Sequence, residues 1–209
     1  MKQATGSNAS RFTNKVSIQQ SLDGHSFSVS GLEWILPGSE AVTVEVLTPQ
    51  TLLVPAELFD AGEAAGLLAA AGMACTQEQQ AVWSMPTMVD SRTEAVAVMA
   101  ADAKALQLIE ERLGNRAFFT TPLLKRTADS APTVRLQYKG GILYIKVFAG
   151  MLRMAETIPA PSEADIRYFV DRLQQAFPLK KMRLVISGAD TKRVRKLIGN
   201  RFGKVVCES

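Results

Sequence analysis

Apolar and polar residues alternate over positions 15–21 and again over 26–30. Val16 and Ile18 share a side with Gln20 and oppose Ser17, Gln19 and Ser21, and later Phe27 and Val29 alternate with Ser26, Ser28 and Ser30. A period of two is that of a half-buried strand. The intervening Asp23-Gly24 pair suits a two-residue hairpin turn, because both residues tolerate positive φ. The same reasoning predicts a third strand over Leu32–Leu36, closed by Pro37-Gly38, and a fourth in AVTVEVLT at 41–48. Together these four predict an antiparallel meander. Leu52–Val54 adds a short strand, after which Pro55 opens a helix-like stretch. Leu67 and Leu68 lie on the apolar side of a small helix that ends near Gly72. Strands follow in AVWSMP and EAVAVMAA. DAKALQLIEERLG then reads as a helix, with Asp102 as N-cap, Ala105, Leu106, Ile109 and Leu113 as its stripe, and Gly114 as its stop.

The pattern restarts at Thr133. Residues 133–159 predict three antiparallel strands with turns at Gly140-Gly141 and near Ala149-Gly150. PSEADIRYFVDRLQQAF carries a capping-box signal in Ser162 and Asp165 and a stripe of Ile166, Phe169, Val170, Leu173 and Phe177. MRLVISG reads as a buried strand, DTKRVRKLIGNRF as a helix with Val194, Leu197 and Ile198 inward, and KVV as a last strand. The two halves share a layout, with TADSAP at 127–132 as the natural boundary. This gives a polar, disordered leader over 1–10, one unit over 11–128 and a second over 129–209. Trp34, Trp83, Phe169 and Phe177 are expected in the core, with Met151, Met154 and Met182 filling gaps.

Composition narrows the chemistry. The 209 residues are 47% hydrophobic and 21% charged, ordinary for a soluble globular chain, and MKQATGSNAS lacks the apolar segment of a secretory signal. No stretch is apolar and long enough to span a bilayer, so a cytoplasmic location is expected. Cys75 and Cys207 read as free thiols. One histidine, His25, with no CxxC or HxxxH spacing, argues against zinc and against a Ser-His-Asp triad. GxGxxG and Walker patterns are absent. Glu110 and Glu111 are adjacent on a helix and diverge. The net charge of +4 is uneven: nine Lys and Arg lie between Lys180 and Lys204, opposed only by Asp190. Lys192, Arg193, Arg195 and Lys196 form an outward basic patch fit for an anionic partner or nucleic acid, although no aromatic is interleaved for base stacking.

Several segments carry a resemblance to a known family: VSIQQSLDGHSFSV, LLVPAELF, TTPLL, ILYIKVFAGMLRMAETIPAPSEADIRYFVDRL and LVISG. In order and spacing the chain resembles an uncharacterised bacterial family assigned an actin-like ATPase fold, within the superfamily of actins, sugar kinases and chaperone ATPases. The resemblance implies an α/β (α+β) protein of two similar actin-like, ribonuclease H-like lobes. A hairpin meander leads each lobe, helices flank it, and a nucleotide cleft lies between.

It also implies site residues. Asp23, Gly24 and Ser26 match the first phosphate hairpin, with Asp and Gly adjacent where the family separates them by one residue. Gly140 and Gly141 match the second hairpin. Its carboxylate is missing, since 133–148 contains no acid and Arg135 and Gln137 stand where the family pattern puts one. Ser187 and Gly188 match the turn that approaches adenosine, with Asp190 as N-cap competing for the same N–H groups. Hydrolysis in this superfamily needs carboxylates to orient magnesium and water. The expectation is therefore a non-catalytic binding or scaffold protein with protein partners and no cofactor or metal. The alternatives are a weak ATPase holding ATP with magnesium, and an anion or nucleic-acid binder acting through 180–204.

Overall fold

The computed structural model describes residues 15–21, 26–35, 41–127, 131–188 and 190–208. Asp23, Gly24, the 1–10 leader and part of the proposed boundary at 127–132 lie outside them. Thirteen strands and four α-helices are described, arranged as three sheets.

The first sheet has the order β2-β1-β3-β8, from β1 (Lys15–Gln20), β2 (Phe27–Ser30), β3 (Val42–Leu47) and β8 (Ala117–Thr120). β1 and β2 form the expected antiparallel hairpin, with Ile18 opposite Val29. The rest of the predicted meander is corrected. Residues Leu32–Trp34 form a 3₁₀ turn, and β3 pairs parallel to β1 and to β8. Gly31 enters the turn at φ 86, a conformation that a strand does not adopt. β3 is buried at every position except Thr43, as a central parallel strand must be.

Between β3 and β8 the chain builds a second, antiparallel sheet. β4 (Thr51–Pro55), β7 (Glu94–Asp102) and β5 (Gln79–Trp83) lie in that order, and β6 (Thr87–Met88) also pairs with β7. α1 (Ala64–Ala70) packs Leu68 on one face of it, against Val96, Val98 and Ala100. α2 (Ala103–Leu113) is capped as expected by Asp102, which accepts from the N–H groups of Lys104 and Ala105. Its stripe of Ala105, Leu106, Ile109 and Leu113 joins Val16, Ile18, Val44 and Met99 in a core between the two sheets.

The third sheet has the order β11-β10-β9-β12-β13, from β9 (Thr133–Lys139), β10 (Ile142–Phe148), β11 (Leu152–Pro159), β12 (Arg183–Gly188) and β13 (Lys204–Cys207). β9, β10 and β11 are the predicted antiparallel set, and β12 and β13 join parallel to β9. α3 (Glu163–Ala176) has the full Ser162–Asp165 capping box. With α4 (Thr191–Ile198) it covers one face of the sheet over Leu136, Leu143, Ile145, Leu184 and Ile186. The opposite face sets Ile142 and Tyr144 against Leu47 and Leu123, joining this sheet to the first two.

Three core assignments fail. Trp34, Trp83 and Met151 are all exposed: Trp34 ends the 3₁₀ turn, Trp83 ends β5, and Met151 lies in the turn before β11. Met182 is buried, and both cysteines are free thiols. Among the described residues, no helix is long and apolar enough to cross a membrane.

Candidate binding cleft

Side chains alternate across a strand, so β1 and β3 send Val16, Ile18, Val44 and Val46 toward α2 while Lys15 and Glu45 emerge on the other face. β9 does the same: Val134 and Leu136 go to the helices, and Arg135 and Gln137 go to the side shared with the first sheet. Between these polar faces lies a cleft of about 410 Å³, bordered by Lys15, Glu45, Thr121, Lys125, Gln137, Ser187 and Gly188. Small-ligand pockets span roughly 300–1,000 Å³.

Glu45 joins the two walls. Its Oε1 lies 3.1 Å from Lys15 Nζ, and its Oε2 accepts from Lys139 of the third sheet. The carboxylate is buried, while Lys15 is half exposed. Elsewhere on the third sheet, Arg135 Nη1 lies 3.0 Å from Glu208 Oε2, and Lys125 Nζ lies 3.8 Å from the same oxygen. Lys146, buried on β10, donates to the Lys125 carbonyl. Burial foremost, then Arg135 and Lys125, bring its ammonium down to about 7 against the pull of Asp90. Asp90 is buried beside the start of β11. Burial pushes its carboxyl up, but N–H groups of Arg92, Leu152 and Thr93 and the Thr93 hydroxyl outweigh it and hold the carboxyl below its ordinary value. Burial, then Glu45, pushes the Tyr144 phenol well up, so it is neutral at pH 7. No cluster of three or more metal-ligating side chains occurs among the described residues.

Of the residues singled out in the sequence, Ser187 and Gly188 border this cleft, in register with Gln137 and Tyr138 of β9. Gly188 has φ 93, and a Cβ there would sit 2.9 Å from the Tyr138 carbonyl oxygen. Gly140 and Gly141, at φ 60 and 75, make the β9–β10 turn. The Gln19 side chain of β1 rests on Gly140, 2.7 Å from where a Cβ would be. Ser26 closes the base of the first hairpin: its N–H donates to the Ser21 hydroxyl at 3.0 Å, and its carbonyl accepts from the Ser21 N–H. Asp190 stands at the N-cap position of α4, but its side chain makes no capping bond. In the basic patch, Arg193 pairs with Glu163 of α3 at 2.9 Å, while Lys192, Arg195 and Lys196 are exposed. Arg201 likewise pairs with Asp171. Pattern reasoning passed over Glu45, Lys125, Lys146 and Glu208.

The fold has a counterpart among solved structures. A Bacteroides thetaiotaomicron protein described as having an actin-like ATPase fold and unknown function superposes with a TM-score of 0.68 over 93% of this chain and 90% of its own, at 15% identity. The chain has an actin-like fold. The cytoplasmic domain of EpsL, an inner-membrane component of the type II secretion system of Vibrio cholerae, aligns over 90% of this chain and 93% of its own at 9% identity, with a TM-score of only 0.36. No protein-family model and no curated protein matches the sequence. In the actin-like frame, the first and third sheets supply the polar faces that border the cleft, and the β4–β7 sheet is inserted between strands of the first.

Proposed function

We propose that this chain is a binding or scaffold protein that has kept an actin-like cleft without the means to hydrolyse nucleotide. The observation that carries this reading is Glu45. It is the one carboxylate among the described residues bordering the large cleft, and it is engaged by Lys15 on one wall and Lys139 on the other. A carboxylate neutralised by two ammonium groups is a poor magnesium ligand, because the metal must displace both. Arg135 and Gln137 on the facing strand add a cation and an amide where phosphoryl-transfer chemistry in this fold calls for an acid. The action then lies in binding, and protein partners fit the exposed edge strands β2 and β13.

The test measures phosphate release from ATP in the presence of magnesium, together with melting of the protein with ATP plus magnesium and with ATP plus chelator. Background phosphate release is the expected result. Turnover above background that disappears on Glu45→Gln would overturn the reading.

A second reading, nucleotide held without hydrolysis, is favoured by the cleft volume and by Ser187-Gly188 at its border. It predicts a rise in melting temperature with ATP whether or not magnesium is present. Nucleic-acid binding through 180–204 is less favoured, since Arg193 and Arg201 are engaged with α3.

A further inference from the structure

Charge is divided between two regions of the chain. Residues 48–102, which build the second sheet and α1, carry seven carboxylates and a single cation, Arg92. Residues 180–204 carry nine cations and a single carboxylate, Asp190. Surfaces of opposite sign on two copies of one chain attract each other, and the attraction fades as salt screens it.

The acidic region also exposes apolar surface. Residues directly opposite on antiparallel strands point to the same side. Trp83, opposite Val98, and Met88, opposite Glu94, therefore lie on the face of the second sheet that α1 packs against. α1 is seven residues long and leaves part of that face open. Trp83 is 41% exposed, Met88 38% and Leu58 69%. The Phe59 ring rests on Trp83, with 6.0 Å between ring centres, and brings the adjoining Leu58 to the same patch. Glu57 and Asp60 flank Leu58 and Phe59 in sequence, and they and Glu94 are exposed. Open apolar surface rimmed by charge marks an interaction site on a soluble protein, and Trp is enriched among the residues that anchor such contacts.

The complementary surface is α4. Lys192, Arg195 and Lys196 stand at i, i+3 and i+4, hence on one side of the helix, and all three are exposed. Their apolar stems can cover Leu58 and Met88, a cationic head can lie on the Trp83 ring, and the other heads meet Glu57, Asp60 and Glu94. Within one chain α4 packs on β12, β13 and α3, while α1 packs on β5 and β7. We propose that the Trp83 face of the second sheet docks on the basic side of α4 in a second copy of this chain. The contact joins unlike surfaces, so every copy carries both halves of it. None of these residues borders the cleft, and the proposal stands apart from the reading given under Proposed function.

The experiment is sedimentation velocity of the full chain over a wide range of protein concentration, in low and in high salt. Self-association that grows with concentration and weakens in high salt is the expected result. Two doubly substituted chains test the faces, Glu57→Lys with Glu94→Lys and Lys192→Glu with Arg195→Glu, all at exposed positions. Each alone is expected to raise the dissociation constant at least about tenfold, and an equimolar mixture of the two is expected to associate again, because one chain keeps its acidic face and the other its basic one. Trp83→Ala is expected to weaken association by about the same factor with its charges untouched. Thermal melting checks that each variant is folded. A chain that stays monomeric at every concentration in low salt overturns the proposal and leaves the patch to a different partner. Association that ignores both charge variants, or that folded variants lose and their mixture does not restore, overturns it as well. ATP hydrolysis, if found, overturns the earlier reading and leaves this one standing.

Discussion

Replacing Lys146 with methionine isolates the cost of a buried ammonium. The methionine keeps an apolar stem of similar length beside Phe148, whose ring centre lies 5.8 Å from Lys146 Nζ, and removes the charge. In the folded chain burial brings this ammonium from 10.5 down to about 7. Between those values the unfolded chain holds the proton and the folded chain does not, so wild-type stability rises with pH across this window and is flat below it. At ~1.4 kcal/mol per pH unit, the whole window is worth on the order of 5 kcal/mol, of which roughly 3 falls between pH 7 and 9.5. The groups that face Lys146 set the sign: Arg135 and Lys125 oppose its charge and Asp90 favours it. Urea unfolding of wild type and Lys146→Met from about pH 6 to 9.5 reads the effect as the difference between the two proteins, which cancels every other titrating group. The methionine variant is expected to be the more stable near pH 6, with wild type gaining on it above pH 7. A difference that stays constant over this range, or one in which wild type loses ground as pH rises, would refute the reasoning.

Two further outcomes are expected. Glu45→Gln leaves Lys15 and Lys139 without their shared carboxylate. Urea unfolding is expected to show a loss of about 1–3 kcal/mol, largely recovered when Lys139→Met is added, and independent effects in that double-mutant cycle would count against the clamp. Asp90→Asn weakens four hydrogen bonds, three within the loop before β7 and one from the Leu152 N–H at the start of β11. The folded-state carboxyl lies below its unfolded value, so its contribution is present above the unfolded pKa and lost as pH falls through the folded one. The variant is therefore expected to lose about 2 kcal/mol at pH 7 and to converge with wild type in acid, as followed by urea unfolding at several pH values.

What the sequence disclosed depended on whether the signal was local. α2 and α3 were legible because Asp102, Ser162 and Asp165 satisfy N–H groups within three residues. The β9–β10 turn was legible because Gly140-Gly141 separates the alternating run TVRLQYK from the apolar run ILYIKVF. The strand directions of the first sheet were not: alternation reports which face is buried, and β3 lies parallel to β1 only because the whole sheet is laid out so. β8 was missed because AFFT is four residues wedged between the 3₁₀ turns Gly114–Arg116 and Pro122–Leu124. In the site, Glu45 and Lys146 were visible in principle as lone charges in apolar strands. The Arg135–Glu208 pair joins residues 73 apart, and no period or motif encodes it.

β10 is buried at all seven positions, so the fold protects ILYIKVF completely. Before that protection exists, the same run is a β-branched and aromatic window of the kind that stacks into intermolecular sheets. Its single charge is Lys146, and in the unfolded chain that ammonium is hydrated and positive at physiological pH. A charge set within such a window acts as a gatekeeper against self-association. The residue that burdens the native state thus guards the newly made chain, and a Lys146→Met protein gains native stability while becoming more prone to aggregate as it folds.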